Sequence, residues 1–484
     1  MTQTQLPVSA PPAAAAPSPW RALSIMLAGV FMAVLDTFIV LVATPAIQQD
    51  LNASDADVQL VLAGYQLAYA VALITSARLG DLWGRKRMFL TGLALFTLAS
   101  VACAAAGGPG ALIAARVVQG LGAAALFPQI FSMIQVLLPA SRRARAFGVL
   151  GAVIGLAGVA GQLLGGALVS ADLFGTSWRP VFWVNVPVGL LTLALAAAFV
   201  PESRAPGAQR LDLPGAAVLS LALLLLVVPL VEGRQVGWPL WTWLSLAAAA
   251  LALAGFLWVE RRVEARGGAP LIRPSLLRRR SFAVGMALVL LAYFGINSFF
   301  LILSLTVQDG LGLDTMGAGL IYIPFAAAFF TASLAAGRLT RHGPRVLRAG
   351  ALLAALGYAL AIAVCVHHGP SLAAWDLAPS FLLIGAGNGL LVTPLINTVL
   401  SRVPPAEAGM ASGVLSTGQQ VGGAVGVAVV GVLYYGTLGG ARHGDAGAYG
   451  HALAVALGFH LALCAGLLAL LPLLAKGRRT GAAG

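Results

Sequence analysis

From residue 21 almost to its end the chain alternates long apolar runs with short polar breaks. Fourteen runs can be drawn, at 22–47, 57–78, 88–106, 110–138, 146–171 and 179–200, then 213–232 and 239–259, then 281–307, 315–339, 346–367, 375–400, 408–435 and 449–475. They cluster around the roughly 20 residues that a helix needs to cross a hydrocarbon core. They are continuous rather than alternating, which favours spanning helices over the strands of a barrel. The pattern predicts an all-α polytopic membrane protein with fourteen transmembrane helices. An even number places both termini on one side.

Composition agrees, with 59% hydrophobic and 9% charged residues and a mean hydropathy of +0.91. A soluble chain of 484 residues would carry far more charge on its surface. The net charge of +13 raises the question of nucleic acid, but the positions of the basic residues answer it. Of 29 Lys and Arg, 25 fall at one set of run ends, three (Arg179, Arg234, Arg442) at the other, and Arg116 lies inside a run. This positive-inside bias puts both termini in the cytoplasm of a cell-membrane protein. A nucleic-acid surface would gather the charges on one folded face. No nucleic-acid partner is expected.

The longest polar loop, residues 260–280, carries seven arginines and divides the chain. The expected organisation is a disordered cytoplasmic tail (1–20), a six-helix bundle (21–200), two additional helices (201–259), the basic loop (260–280), a second six-helix bundle (281–475) and a short cytoplasmic tail (476–484). No basic segment precedes the first run, which carries Asp36, so a cleaved signal peptide is not expected. A weak internal echo links the bundles. Ala77-Arg78-Leu79-Gly80-Asp81-Leu82-Trp83-Gly84-Arg85-Lys86-Arg87 and Gly337-Arg338-Leu339-Thr340-Arg341-His342-Gly343-Pro344-Arg345 both place Arg-Leu at a run's end, then Gly, then more basic residues. Duplicated halves are a known way to build a transporter.

Two charged residues lie deep inside runs. Asp36 would cost roughly 2.5–3.5 kcal/mol at the bilayer centre, so it needs a polar cavity or a partner, and an intramembrane acid is a functional candidate by default. It is read as a proton-binding carboxylate, the alternative being a structural acid that bonds a neighbour. Arg116 cannot shed its charge and must face water, a carboxylate or carbonyls. Gln119 shares its helix face. Whether Arg116 meets Asp36 is left open by the sequence. Candidate cavity residues are Tyr65, Gln119, Gln129, Gln162, Tyr293, Asn297, Asn388, Asn397, Gln419 and Gln420, each of which could equally be an interhelical hydrogen bond. His367 and His368 mark an outer helix end. Cys103, Cys365 and Cys464 are isolated in apolar runs and read as packing residues. No nucleotide-binding loop, metal spacing or hydrolase constellation is present, so neither an enzyme nor a cofactor is expected.

Several motifs, in order, resemble those of the major facilitator superfamily, in its fourteen-helix drug:proton antiporter branch. The loop with Asp81, Gly84, Arg85 and Arg87 is similar to the family's signature loop, with Ala77 where Gly is preferred. Leu112-x3-Arg116-x2-Gln119-Gly120-x-Gly122-Ala123-Ala124 resembles its second motif. Gly158-x2-Gly161-Gln162-x2-Gly165-Gly166 resembles the antiporter motif, with Gln162 in place of Pro. Trp178-Arg179-Pro180-Val181-Phe182-x-Val184-Asn185-Val186-Pro187 and Gly418-Gln419-Gln420-Val421-Gly422-Gly423-Ala424-x-Gly426 are similar to segments of the same branch. Leu41 and Thr44, beyond Asp36, depart from it. The resemblance implies proton coupling through Asp36 and Arg116, and gating at Asp81–Arg87. It further implies packing at Gly158, Gly161, Gly165 and Gly166, and export of small organic, amphipathic compounds against the proton gradient, by a monomer in the lipid bilayer. A uniporter, an importer, a lipid or metabolite exporter, or a sensor without flux are the alternatives on the same fold.

Overall fold

The computed structural model describes residues 18–475, apart from 173–174, 205–212, 234–235, 269, 271, 314, 340–342, 405–406, 440 and 443. Residues 1–17 of the expected 1–20 tail, the expected tail at 476–484, and Arg210, Arg234 and Arg341 lie outside the described residues, while Pro19 and Trp20 already belong to the first helix. Among those described, every long element is a helix and none is a strand.

The first half holds α1 (Pro19–Asp50), α2 (Asp55–Trp83), α3 (Arg85–Ala104), α4 (Pro109–Leu137), α5 (Ala140–Ala171) and α6 (Pro180–Phe199). There follow α7 (Leu213–Glu232) and α8 (Leu240–Ala265). The rest are α9 (Arg280–Leu305), α10 (Ile323–Leu339), α11 (Pro344–His368), α12 (Ala378–Leu400), α13 (Ala408–Leu438) and α14 (Ala446–Ala475). Among the described residues thirteen helices are long and apolar enough to cross a membrane, and α7 supplies the fourteenth with a shorter apolar segment, Ala217–Leu230. In lipid the backbone has no water to bond, which is why such runs close their hydrogen bonds along the helix.

Boundaries differ from the sequence reading mainly where charge was taken as the end of a helix. α2 runs on through Arg78 and Asp81 to Trp83, α5 begins before Arg142, and α8 passes Arg261 and Arg262. Charged side chains at a helix end can reach the interface, so they need not break it. At this basic end Arg21 stacks 3.5 Å above the Phe199 ring and Arg262 3.6 Å above Trp258. Such pairs suit an interfacial belt.

The packing order repeats. α1 packs on α5, α2 and α3 on α4, and α3 on α6; likewise α9 packs on α13, α10 and α11 on α12, and α11 on α14. The two sets meet along α2–α13 and α5–α10. α7 and α8 pack on each other and, through α7, against α2 and α13. The other face of α8 exposes Leu240, Trp243, Leu244, Leu251 and Trp258, as a lipid-facing helix would.

Glycine makes the close approaches possible. On α5, Gly161 lies against the Leu35 carbonyl and Phe38, and Gly165 against Ile39, so α5 seats on the part of α1 that carries Asp36. Gly158 faces the Phe38 ring, and Gly166 is only partly buried. Gly422 and Gly426 seat α13 on α9 in the same way, against the carbonyls of Leu290 and Phe294.

Candidate functional site

A fully buried polar cluster lies inside the first half. α1 contributes Asp36, α3 Ser100, α4 Arg116 and Gln119, and α6 Asn185, all 0–1% exposed. Arg116 Nη1 donates to Asp36 Oδ2 at 2.6 Å and to Gln119 Oε1 at 2.7 Å, and its Nε donates to the Val61 carbonyl at 3.3 Å. Asp36 Oδ1 accepts from Gln119 Nε2 at 2.9 Å and from Asn185 Nδ2 at 2.7 Å. Gln119 Nε2 also reaches Ser100 Oγ at 2.8 Å. The structure thus answers the question left by the sequence: Asp36 and Arg116 are partners.

Either charge alone at this depth would cost several kcal/mol, and the pair is tolerable because the surrounding amides saturate it. Gln119 and Asn185 donate to the carboxylate while Val61 and Gln119 accept from the guanidinium. Asn185 Oδ1 is buried without a hydrogen-bond partner. Tyr65 separates this cluster from the space between the halves. Its ring centroid lies 4.3 Å from Arg116 Cζ and its hydroxyl points to the Ala33 carbonyl at 3.4 Å.

On the far side of Tyr65 a cavity of ≈ 210 Å³ opens between the halves. Tyr65, Tyr293, Asn297, Gln419 and Gln420 line it, with Phe127, Phe131, Phe147 and Phe329. An adjoining space of ≈ 180 Å³ shares Tyr293, Asn297 and Phe329 and reaches Gln162. Neither is lined by Asp, Glu, Lys or Arg among the described residues. Gln420 Nε2 lies 3.4 Å from Gln66 Oε1 of the opposite half.

Four expected cavity residues lie elsewhere. Gln119 belongs to the charged cluster. Gln129 is completely buried, donates to the Ser76 carbonyl at 3.1 Å and covers Gly80, fastening α4 to α2. Asn388 donates to the Ile384 carbonyl at 2.9 Å and faces a separate void of ≈ 20 Å³ inside the second half. Asn397 lines a groove at the basic end with Arg402.

At the basic end the expected signature loop is reduced to one residue, Gly84, at φ 118°, between α2 and α3. A side chain there would collide with the Glu202 carboxylate, which receives the backbone N–H of Lys86 at 3.1 Å and of Arg87 at 3.3 Å. Glu202 therefore caps the N-terminus of α3. Asp81 and Arg85 form a buried ion pair at 2.7 Å, and Arg85 Nη1 also donates to Ser203 Oγ at 2.9 Å. Arg87 is 67% exposed and stands 3.7 Å from Glu202. The Asp81 carboxylate rests directly over Gly409 and faces the Met410 N–H in the first turn of α13. An anion over the first turn of a helix is favourable. Beside it, Ser132 and Ser412 hydroxyls meet across the halves at 3.1 Å. On the other seam Gly148 abuts the Ser333 carbonyl and Gly337 abuts Arg145. The cavity is therefore closed toward the basic end.

At the opposite end Arg179 and Trp178 donate to Asp50 Oδ2 at 2.7 and 3.0 Å. Hydrogen bonding from Arg179 first, then Trp178, holds the Asp50 carboxyl below the usual carboxylate range. His367 and His368 end α11 at the same end, with His368 3.4 Å from Asp376.

The sequence reading missed Asn185, Ser100, Glu202 and Glu260. Asn185 was visible as a lone amide in an apolar run. Glu202 and Glu260 gave no signal, since loop and helix-end carboxylates read as solvated. Glu260 is instead fully buried and accepts the Ile272 N–H at 3.0 Å.

Comparison with known proteins places this architecture. The Major Facilitator Superfamily model matches residues 26–427. The chain is 40% identical over 432 residues to a probable actinorhodin transporter of Streptomyces coelicolor, covering 88% of this chain and 75% of that protein. It is 37% identical over 426 residues to the puromycin resistance protein pur8 of Streptomyces alboniger, covering 87% and 82%. The fold matches the human organic anion transporter MFSD10 with a TM-score of 0.65 at 16% identity, covering 94% of this chain and 100% of that one. With a family match over most of its length and the paired helical halves described above, the chain belongs to the Major Facilitator Superfamily, as a multi-pass membrane protein.

Proposed function

We propose that this chain is a secondary exporter that moves small organic molecules out of the cell by proton antiport and alternating access. The observation that carries the reading is the buried Asp36–Arg116 pair, set one aromatic ring away from a cavity between the halves. With Asp36 ionised, the cluster balances its charge. A proton on Asp36 leaves the Arg116 guanidinium without a counter-charge in a dry site, which is strongly unfavourable. Arg116 then turns toward Tyr65 and the cavity, and the changed fit of α1 and α4 shifts the halves. Discharge of the proton resets the pair. One proton moving inward across 100 mV supplies about 2.3 kcal/mol for uphill export.

Positive-inside bias supports placing the basic end and both termini in the cytoplasm. On that orientation the structure corresponds to the cytoplasm-closed state, latched by Asp81 over α13. A single chain holds the cavity and the charged pair, which supports a functional monomer. The cavity's rings and amides, without a fixed charge, favour flat, uncharged or weakly charged aromatic compounds bearing carbonyl or hydroxyl groups. The relatives named for actinorhodin transport and puromycin resistance agree with small-molecule export.

The test is a proteoliposome with a preset pH gradient. Adding a flat aromatic quinone should dissipate the gradient for the native protein and not for Asp36→Asn. Substrate flux that leaves the gradient intact would overturn antiport. Equal dissipation by Asp36→Asn would move the proton site elsewhere.

A further inference from the structure

One atom of the charged cluster is left over. Asn185 is 1% exposed, and its Oδ1 has no hydrogen-bond partner among the described residues. A buried carbonyl without a donor is costly, and this one sits on an amide that touches Asp36.

Every hydrogen bond to the Asp36 carboxylate comes from a donor: Arg116 Nη1 to Oδ2, and Gln119 Nε2 and Asn185 Nδ2 to Oδ1. That set suits an ionised carboxylate, which only accepts. It does not suit the acid, whose O–H needs an acceptor. The two amides differ in their freedom to become one. Gln119 is held at both ends: Oε1 receives Arg116 Nη1 at 2.7 Å, and Nε2 donates to Asp36 at 2.9 Å and to Ser100 Oγ at 2.8 Å. Turned over, it would set its N–H groups against those of Arg116. Asn185 is held by its nitrogen alone, at 2.7 Å from Asp36 Oδ1 and 3.4 Å from Ser100 Oγ. A half-turn about its terminal torsion, a broad two-fold rotor, exchanges Oδ1 and Nδ2 with little change of shape.

The backbone at Asn185 is also less constrained than mid-helix. α6 is interrupted at Val184, Asn185 opens the second segment, and Pro187 has no N–H for the Trp183 carbonyl. The other titratable groups at the cluster are Arg116 on α4, Tyr65 on α2 and Cys103 on α3. Tyr65 and Cys103 direct their hydrogen bonds elsewhere, to the Ala33 carbonyl and to Gln119 Oε1. α5 meets this part of α1 with Gly161 and Gly165.

We propose that Asn185 is the positioning residue that lets Asp36 take up a proton: its amide donates to the carboxylate and, turned over, accepts from the acid. The proton binds Asp36 Oδ1 and neutralises the carboxylate, and the new O–H points to Asn185 Oδ1. Oδ2 becomes the carbonyl oxygen and still receives Arg116 Nη1, while the hydroxyl oxygen still receives Gln119 Nε2. Apart from the long contact to Ser100, the cluster keeps its hydrogen bonds, and one of them reverses direction. Loss of the proton reverses the turn. Arg116 is thus still in place when the proton arrives, so uptake precedes its move toward Tyr65. This role rests on the reading of Asp36 as the proton-binding group.

The test follows Asn185 in the full chain. Asparagine carrying ¹³C at the side-chain carbonyl is incorporated, the protein is placed in lipid nanodiscs, and infrared difference spectra are taken as the pH is lowered. The sequence has five asparagines, at 52, 185, 297, 388 and 397, and Asn185→Ala identifies the band. The carboxyl stretch of protonated Asp36, assigned by its loss in Asp36→Ser, marks the arrival of the proton. The Asn185 carbonyl stretch should move to lower wavenumber, from an unbonded to a bonded carbonyl, with the midpoint of the Asp36 acid band. In Asp36→Ser it should show no step. An Asn185 band that stays in place while the acid band appears overturns the proposal and leaves Asp36 as the proton site. If no Asp36 acid band appears down to about pH 4, the ordinary carboxylate range, both readings fall. In proteoliposomes, Asn185→Leu removes both directions of the bond and should slow proton exchange about tenfold or more, the loss of one charged hydrogen bond. Exchange at the native rate overturns the proposal as well. The infrared arm uses the unaltered sequence, so it decides the matter even where Asn185→Leu does not fold.

Discussion

The two halves of this protein use the same helix positions to build opposite interiors. The first centres on a salt-bridged, amide-saturated cluster around Asp36 and Arg116. The second centres on Phe299, whose ring lies within 5.8–5.9 Å of Phe300, Phe325, Tyr358 and Phe381. A charged interior is specified by a few directional bonds, so it can be rewritten by one proton. An aromatic interior is held by many weak contacts and has no comparable single control. The comparison assigns switching to the first half and shape to the second.

The sharpest way to break this contrast is to remove one partner of the charged pair. Arg116→Ala strands the Asp36 carboxylate and should cost about 3–5 kcal/mol, abolishing export as well. Thermal unfolding in detergent, with and without Arg116→Lys, checks it. Lys restores charge but not the three-way geometry, so stability should return only in part and export not at all. Phe299→Ala should cost about 3 kcal/mol, the low end for a buried phenylalanine, yet leave proton coupling per transported molecule unchanged. A variant that unfolds no earlier but uncouples protons would reverse the assignment of roles.

The seams between halves differ too. α2–α13 is latched by Asp81 over Gly409 and Met410, whereas α5–α10 is glycine against backbone. Asp81→Asn should weaken the latch by about 1.5–3 kcal/mol, the range for a charged hydrogen bond. Cysteines placed at the basic end would then label faster, and an unchanged rate would deny the latch. The smallest effect belongs to Asp50 at the opposite end. Its carboxyl is held below 3.8, so the Arg179 bond persists above that value and is lost only as pH falls through the lowered one. The pair is partly exposed, so acid should remove no more than about 0.2–1 kcal/mol. Arg179→Gln should erase that acid step in an unfolding titration.

Much of this arrangement was legible in the chain. Fourteen apolar runs gave fourteen helices, because in a bilayer an apolar run of sufficient length has no alternative to a helix. Asp36 and Arg116 stood out because charge inside such a run demands a partner. Asp81 was singled out by its motif but read as part of a loop, and Glu260 was not singled out at all, because helices α2 and α8 continue past the basic residues that suggested loops, carrying those carboxylates into packed surroundings. Gln129 and Asn388 were indistinguishable from cavity residues, since a polar side chain shows its need for a partner but not which helix supplies it.

The segment between α8 and α9 is stapled by carboxylates. Glu260 holds the Ile272 N–H, Glu264 holds Ser275, and Glu407 in front of α13 holds Arg273 at 3.0 Å and Arg279 at 3.2 Å. The exposed glycines Gly267 and Gly268 turn the chain out of α8, their N–H groups donating to the Glu264 and Val263 carbonyls at 3.0 and 2.9 Å. A protease site inserted there would yield two polypeptides that remain tied by these staples. The protein could then be studied as a split pair, reassembled from separately labelled halves without redesigning either one.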